Sequence, residues 1–542
     1  MRGRIHFSKG FFPLLFSSLI ILFLTGCAEN SSILDNGGNR QLEFSVSTHD
    51  WNNSSNSKKD SRATPISGAS FDTSNSFNVI ADVNKGSNWS TEVDNETASY
   101  STANNIWQTS KIHYWPGSGS TVNFYAYYPP SISSDITHTT GSAPVLSYTV
   151  PDNAADQIDI LASSKPSVAG DSYNQTPVDF KHIFAAVQFS VGNSNLPSGT
   201  ISSITISGIK NSGTYTFGSG WALNSGTTTF KASPSTVING TSGESITTGT
   251  YTLMMIPQTF TDATLTLIYS TGTSYTQTIS GTWIAGNTYT YNLSKPVNIG
   301  DYYYSDGTWG SIAEHANSTT SPIGVIFSNS TSNIDKGHNW THGYAMALKE
   351  SSSSVVWSTN VQWEMGESNA INTESLMKND MEGYTHTKLV EGNHFNVLKN
   401  EYPAFYYAIH YSVSYPTLSS GWFLPSIGQL YYIISNLGFK STSTTSIYWG
   451  FEFNGDASTC INNLNHYLAS SGTFDITNFV SNTLLWSSSE GEGKPNTLNN
   501  AISTGVCIDS YDNCVAFPFD HAKNENPFRK TNYYHVRSVI AF

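Results

Sequence analysis

Short stretches in which apolar and polar positions alternate recur through the first three hundred residues. "AAVQFSV" (185–191) puts Ala185, Val187, Phe189 and Val191 on one side and Gln188 and Ser190 on the other. "ATLTLIYS" (263–270) does the same with Ala263, Leu265, Leu267 and Tyr269. "TVNFYAYYPP" (121–130) carries Val122, Phe124, Ala126 and Tyr128 on one face and stops at a double proline. A period of two with Gly- and Asn-rich turns predicts β-strands with one buried face. A first strand is expected from about Gln41 (Leu42, Phe44, Val46), and "NTYTYNL" (287–293) closes the region. The length from 41 to 298 suits two β-sandwiches, divided as 41–170 and 171–298.

Beyond about residue 299 the period changes. "GWFLPSIGQLYYIISNLG" (421–438) spaces Ile427, Leu430, Tyr431, Ile434 and Leu437 as one face of an amphipathic helix. Ser426 and Gln429 fit a capping box, and Gly438 stands where a helix stop is expected. Residues 299–542 therefore read as a separate α+β head. Composition supports a mainly β, ordered chain: aromatics are 13% and charged residues only 12% of 542 positions. A net charge of -14 argues against nucleic acid as a partner.

The N-terminus carries its own signal. Arg2, Arg4 and Lys9 flank a short apolar run at 11–24, which ends in Leu24-Thr25-Gly26-Cys27. That tetrapeptide resembles the bacterial lipoprotein signal, the lipobox. The resemblance implies a signal segment at 1–27, cleavage before Cys27 and its acylation, palmitate included. Lipid chains would then hold the protein to a membrane. Ala28-Glu29-Asn30 follows the cysteine without an Asp at the second position, which in a Gram-negative cell implies the outer membrane. Residues 28–60 are polar and read as a tether. Setting Cys27 aside leaves Cys460, Cys507 and Cys514. Cys507 and Cys514 are the nearest pair for a disulfide, with one thiol left over.

Four blocks carry a family resemblance: "IWQTSKIHYWPGSGSTVNFYAYYP" (106–129), "DQIDILASS" (156–164), "VDFKHIFAAVQFSV" (178–191) and "ITISGIKNSGTYTF" (204–217). They resemble the fimbrillin-like family of lipoprotein pilins. The resemblance implies two transthyretin-like β-sandwiches and a place in or beside surface fimbriae. Such subunits join by strand addition. In the family a protease cut after an Arg removes the first strand, and Arg62 in "SRAT" is the candidate here. "DMEGYTHTKLV" (380–390), "YPAFYYAIHY" (402–411), "GWFLPSIGQLYYI" (421–433), "LWSSSE" (485–490) and "HVRSVIAF" (535–542) resemble a C-type-lectin-related module.

Little of the sequence reads as catalytic. His338 and His342 are spaced i, i+4 but lack the Glu of H-E-x-x-H and sit between Gly337 and Gly343. No metal site, cofactor or enzyme activity is expected. "FNGDAS" (453–458) and "DSYDNC" (509–514) supply oxygen atoms, yet polar turns account for them. Trp340 and Tyr384 are aromatic candidates for sugar stacking or for core packing. The resulting expectation is a surface-exposed fimbrial tip subunit or adhesin. Its partners would be other fimbrial subunits, and a host or bacterial surface glycan or protein bound through the head. The alternative is a non-fimbrial outer-membrane lipoprotein that binds glycans.

Overall fold

The computed structural model describes residues 40–53, 70–193, 195–360, 362–447, 450–473, 475–491, 503–509, 514–518 and 529–542. Cys27 and Arg62 lie outside the described residues. The chain is mainly β, and among the described residues every α-helix lies beyond residue 332.

Seven strands close into a barrel. Around it run Phe44–Thr48, Thr176–His182, Leu161–Ala169, Thr121–Tyr128, Ser76–Lys85, Asn88–Ser101 and Ile106–Thr109, which meets Phe44–Thr48 again. Phe44, Phe77, Val79, Val122, Phe124 and Phe180 fill it. The expected division at 170/171 falls between two strands of this barrel, Leu161–Ala169 and Thr176–His182. The barrel needs both to close, so the change of sheet comes later, between His182 and Ala185.

The second unit packs one sheet (Leu253–Met255, Ala185–Val191, Asn287–Leu293, Asn52–Asn53) against another (Thr227–Ala232, Gly199–Lys210, Thr259–Tyr269, Ser274–Thr282). Thr259–Tyr269 alternates as expected: Ala263, Leu265, Leu267 and Tyr269 are buried and Thr264 is exposed. A third, smaller sheet joins Val145–Thr149 to Ser212–Thr216, so chain from before the expected division serves the second unit. The strand Thr121–Tyr128 shows why. Val122, Phe124 and Ala126 enter the barrel core, while Tyr125 and Tyr127 enter the second unit's core. Alternation predicts one buried face; here both faces are covered.

The head holds a five-stranded sheet that includes Tyr302–Tyr304, Pro322–Ser328, Tyr344–Ala347 and Val539–Ala541. A seven-stranded sheet around Thr483–Glu490 lies beside it, with helices packed on both. The helix Ile427–Ile433 starts at Ser426 with the expected capping box. It is not amphipathic in place: Gly428 and Gln429 are buried with the apolar face. A Cβ at Gly428 would come within 2.3 Å of the Asp380 carbonyl, so only glycine lets the 374–380 segment approach. Gln429 is buried because its amide is satisfied by Ser426 N (2.9 Å) and the Met381 carbonyl (3.2 Å). Gly438 is not the stop either. The helix continues as a π-helix through Ile434–Phe439, and Lys440 takes the left-handed conformation (φ 55°). Gly438 is small because a Cβ there would lie 2.6 Å from Cys460 Sγ on the helix Ala457–Ser470.

A buried ion pair ties the end of Thr483–Glu490 to the chain at 357–365. Lys530 Nζ meets Glu490, donates to the Gln362 carbonyl (2.6 Å) and sits 4.3 Å above the Trp357 ring. Glu490 also accepts from the backbone of Glu364 (3.0 Å) and Met365 (2.8 Å).

Candidate functional site

The first site is the strand that seals the barrel. Leu42 and Phe44 are both 1% exposed. Phe44 meets Phe77 and Phe124 edge-on, each with centroids 6.2 Å away. Phe44–Thr48 runs parallel to Thr176–Phe180 through five ladder pairs. Its other edge has a single ladder pair, Phe44 with Trp107, after an isolated bridge from Gln41 to Tyr114. Parallel pairing is slightly weaker per residue than antiparallel. This is therefore a short strand, held by a ladder on one edge and by Phe44 and Val46, with Leu42 just before it, packed on the barrel core.

The same segment runs on to the second unit. Ser47 Oγ and His49 Nε2 bind the Asp179 carboxylate at 3.0 and 2.7 Å. Burial raises that carboxyl's pKa, but the bonds from His49 and Ser47 outweigh it and hold it below its ordinary value. Trp51 stacks on His182 at 3.9 Å, and Asn52–Asn53 lies parallel to Asn287–Thr288. Residues 40–53 thus strap both units together.

The strand Val539–Ala541 is committed elsewhere. It pairs with Tyr344–Met346 inside the head. The Phe542 carbonyl accepts from His342 N (2.8 Å) and Gly343 N (3.1 Å), and its ring stacks on Tyr303 at 4.2 Å.

The head is docked on the second unit. Tyr275, 8% exposed, donates its hydroxyl to the Trp309 carbonyl at 2.7 Å. Trp309 Nε1 reaches the Lys295 carbonyl (3.2 Å), and Lys295 Nζ pairs with Glu314 (2.6 Å). His315 lies flat on Tyr304 at 3.4 Å, between Thr308 Oγ1 and the Ser311 carbonyl. Burial lowers the pKa of His315 and of His342. Beside this contact lies a cleft of about 770 Å³. One wall is 195–198 and 239–241 of the second unit; the other is head loops at 303–309, 338–342 and 416–419.

The residues singled out from the sequence fall as follows. His338 caps the five-residue helix Asn333–Gly337 and stacks on Trp340, so the two histidines do not share a helical face. Trp340 is 8% exposed and packs edge-on against Tyr384, so it is not an open stacking platform. Asp456 of "FNGDAS" caps the helix Ala457–Ser470 by accepting Ser458 N at 2.9 Å. Of "DSYDNC", residues 510–513 lie outside the described residues. Cys507 and Cys514 stand on adjacent antiparallel strands, with Asp509 opposite Cys514. Cys460 is a buried thiol whose pKa burial pushes up to about 12. No group of three His, Cys, Asp or Glu able to hold a metal occurs among the described residues. No described helix is long and apolar enough to cross a membrane. The sequence reading missed Trp309 and Tyr275; their signal was only a cluster of aromatics either side of residue 299.

Residues 61–300 match the model of the fimbrillin-like family. This part of the chain is similar to that family. The match takes in most of the barrel and the second unit and stops where the head begins. Among solved structures, a fimbrial protein from Bacteroides ovatus is 15% identical, covers 93% of this chain and 100% of its own, and has a TM-score of 0.32. A fimbrial protein from Bacteroides vulgatus is 14% identical over 47% of this chain and 95% of its own, with a TM-score of 0.29. The tip fimbrial protein Mfa3 from Porphyromonas gingivalis, with a C-terminal truncation, is 9% identical over 44% and 94%, with a TM-score of 0.26. No curated protein matches the chain.

Proposed function

We propose that the protein is a cell-surface fimbrial tip subunit or adhesin. It would join other fimbrial subunits by strand addition and present its head to a host or bacterial surface ligand. The observation that carries this reading is the barrel-sealing strand Phe44–Thr48, upstream of Arg62 and laddered on one edge. Its removal would leave an apolar slot lined by Phe77 and Phe124 beside the free edge of Thr176–His182, an acceptor for a partner's strand. The head that follows the second unit supports a place at a fibre end, because it stands where a free donor strand would otherwise follow Asn287–Leu293. The head acts as a C-type-lectin-related binding module without enzymatic activity. Acylation at Cys27 and an outer-membrane station complete the proposal.

Arg62→Ala tests it. The variant should keep the longer, lipid-bearing form and enter fibres less. Gold-labelled antibody to residues 299–542 should mark fibre ends in the unmutated strain. Label along whole shafts would refute the end position. Label on the membrane with no fibres would favour the glycan-binding lipoprotein instead.

A further inference from the structure

We propose that the cleft between the second unit and the head binds an uncharged carbohydrate. The inference deepens the adhesin reading and rests on it for its biological role, though the binding itself is a property of the folded chain.

Ligand sites favour seams between domains, volumes of roughly 300 to 1,000 Å³, and an apolar lining with a few fixed polar groups. This cleft, at about 770 Å³, has that size and position. Its charge selects the ligand class. Among the described residues lining it there is no Lys or Arg, and the only carboxylate side chain is Asp306. An anionic ligand would therefore meet no Lys or Arg and one repulsive carboxylate, with His338 and His342 the two imidazoles in the lining. His342, the more buried of the two histidines in the lining, is held towards its neutral form by burial.

Hydroxyl and amide groups stand on both walls. Asn239 and Thr241 from the second unit face Ser305, Asn339 and Thr341 from the head, and all five are exposed. Such groups both donate and accept, as the hydroxyls of a sugar require. Leu418, 64% exposed, adds open apolar surface, while the rings of Trp309, Trp340 and Tyr303 border the cleft as buried groups that are 2%, 8% and 2% exposed. A pyranose ring presents the matching pair of surfaces, an apolar C–H face and a hydroxyl rim. Because both walls contribute, the site exists only while the head stays docked.

The test uses purified protein on an immobilised panel of neutral hexose and N-acetylhexosamine oligosaccharides, with their sialylated and sulfated forms alongside. At least one neutral structure should bind, and adding an acidic group to it should weaken binding at least tenfold. Thr341→Trp on the head wall and Asn239→Trp on the second-unit wall should each weaken binding at least tenfold. Both replace exposed side chains, so the thermal unfolding midpoint should not move. Val237→Trp, at a 72% exposed position outside the lining, should bind normally. No binding to any neutral structure, a preference for acidic forms, or indifference to both wall variants would each overturn the proposal. Glycan binding by a protein never found on fibres would sink the fimbrial reading alone; fibre-end label without glycan binding would sink the cleft alone.

Discussion

Phe44→Ala probes the strand on which the assembly reading rests. The Phe44 ring is 1% exposed and touches Phe77 and Phe124 edge-on. Truncating a buried Phe to Ala costs about 3–5 kcal/mol, from lost transfer energy and the cavity left behind. Each edge-on aromatic pair adds about 0.5–1.5 kcal/mol beyond its area. The backbone offers little in reserve, since one edge of the strand has a single ladder pair. Hydrogen bonds contribute about 1 kcal/mol each, net. The expected cost is about 4 kcal/mol, felt first as opening of this strand. Hydrogen exchange read by mass spectrometry on peptides from 40–48 and 76–83 measures that opening locally, which suits a multidomain chain. Ser45→Ala, at an exposed position between Phe44 and Val46, should stay within about 0.5 kcal/mol. A synthetic peptide of residues 40–53 should restore protection to the Phe44→Ala chain, and the same peptide with Ala at 44 should not. A loss below about 1 kcal/mol, or lost protection confined to the head, would refute the view that Phe44 holds the strand in its slot.

Other perturbations test the head and its docking. Lys530→Met strands the buried Glu490 carboxylate and should cost about 3–5 kcal/mol in urea unfolding of the head; adding Glu490→Gln should recover part of it. Tyr275→Phe leaves the buried Trp309 carbonyl without its donor and should cost about 1–3 kcal/mol, seen as faster proteolysis between 295 and 315. His315 and His342 titrate below the ordinary value of 6.5 in the folded chain, so on acidification the unfolded chain takes up protons first. Stability is then full above that value and falls below it, by at most about 1.4 kcal/mol per pH unit for each histidine. His315 faces Asp306, Glu314 and Lys295, and His315→Gln should flatten the loss between pH 7 and 5 in denaturation midpoints.

The sequence by itself determined where strands and helices form. Alternation in "ATLTLIYS" marks a strand and its buried face, because a side chain every second residue must point the same way. Ser426 and Gln429 announce a helix start, because a capping box is closed within four residues. The change of period near 299 likewise separates strand-rich chain from the part that holds the α-helices. What such local rules do not contain is the identity of each partner. Only the tertiary structure decided that Tyr125 and Tyr127 also face a core, that Gly428 and Gln429 are buried, and that Lys530 meets Glu490. The barrel closes when Phe44 pairs with Thr176, far along the chain, and the cleft exists where loops near 240 meet loops near 340. A residue's period reports its direction from the backbone. What stands in that direction is fixed only when distant segments pack, and the sealing strand and the cleft are both made of such contacts.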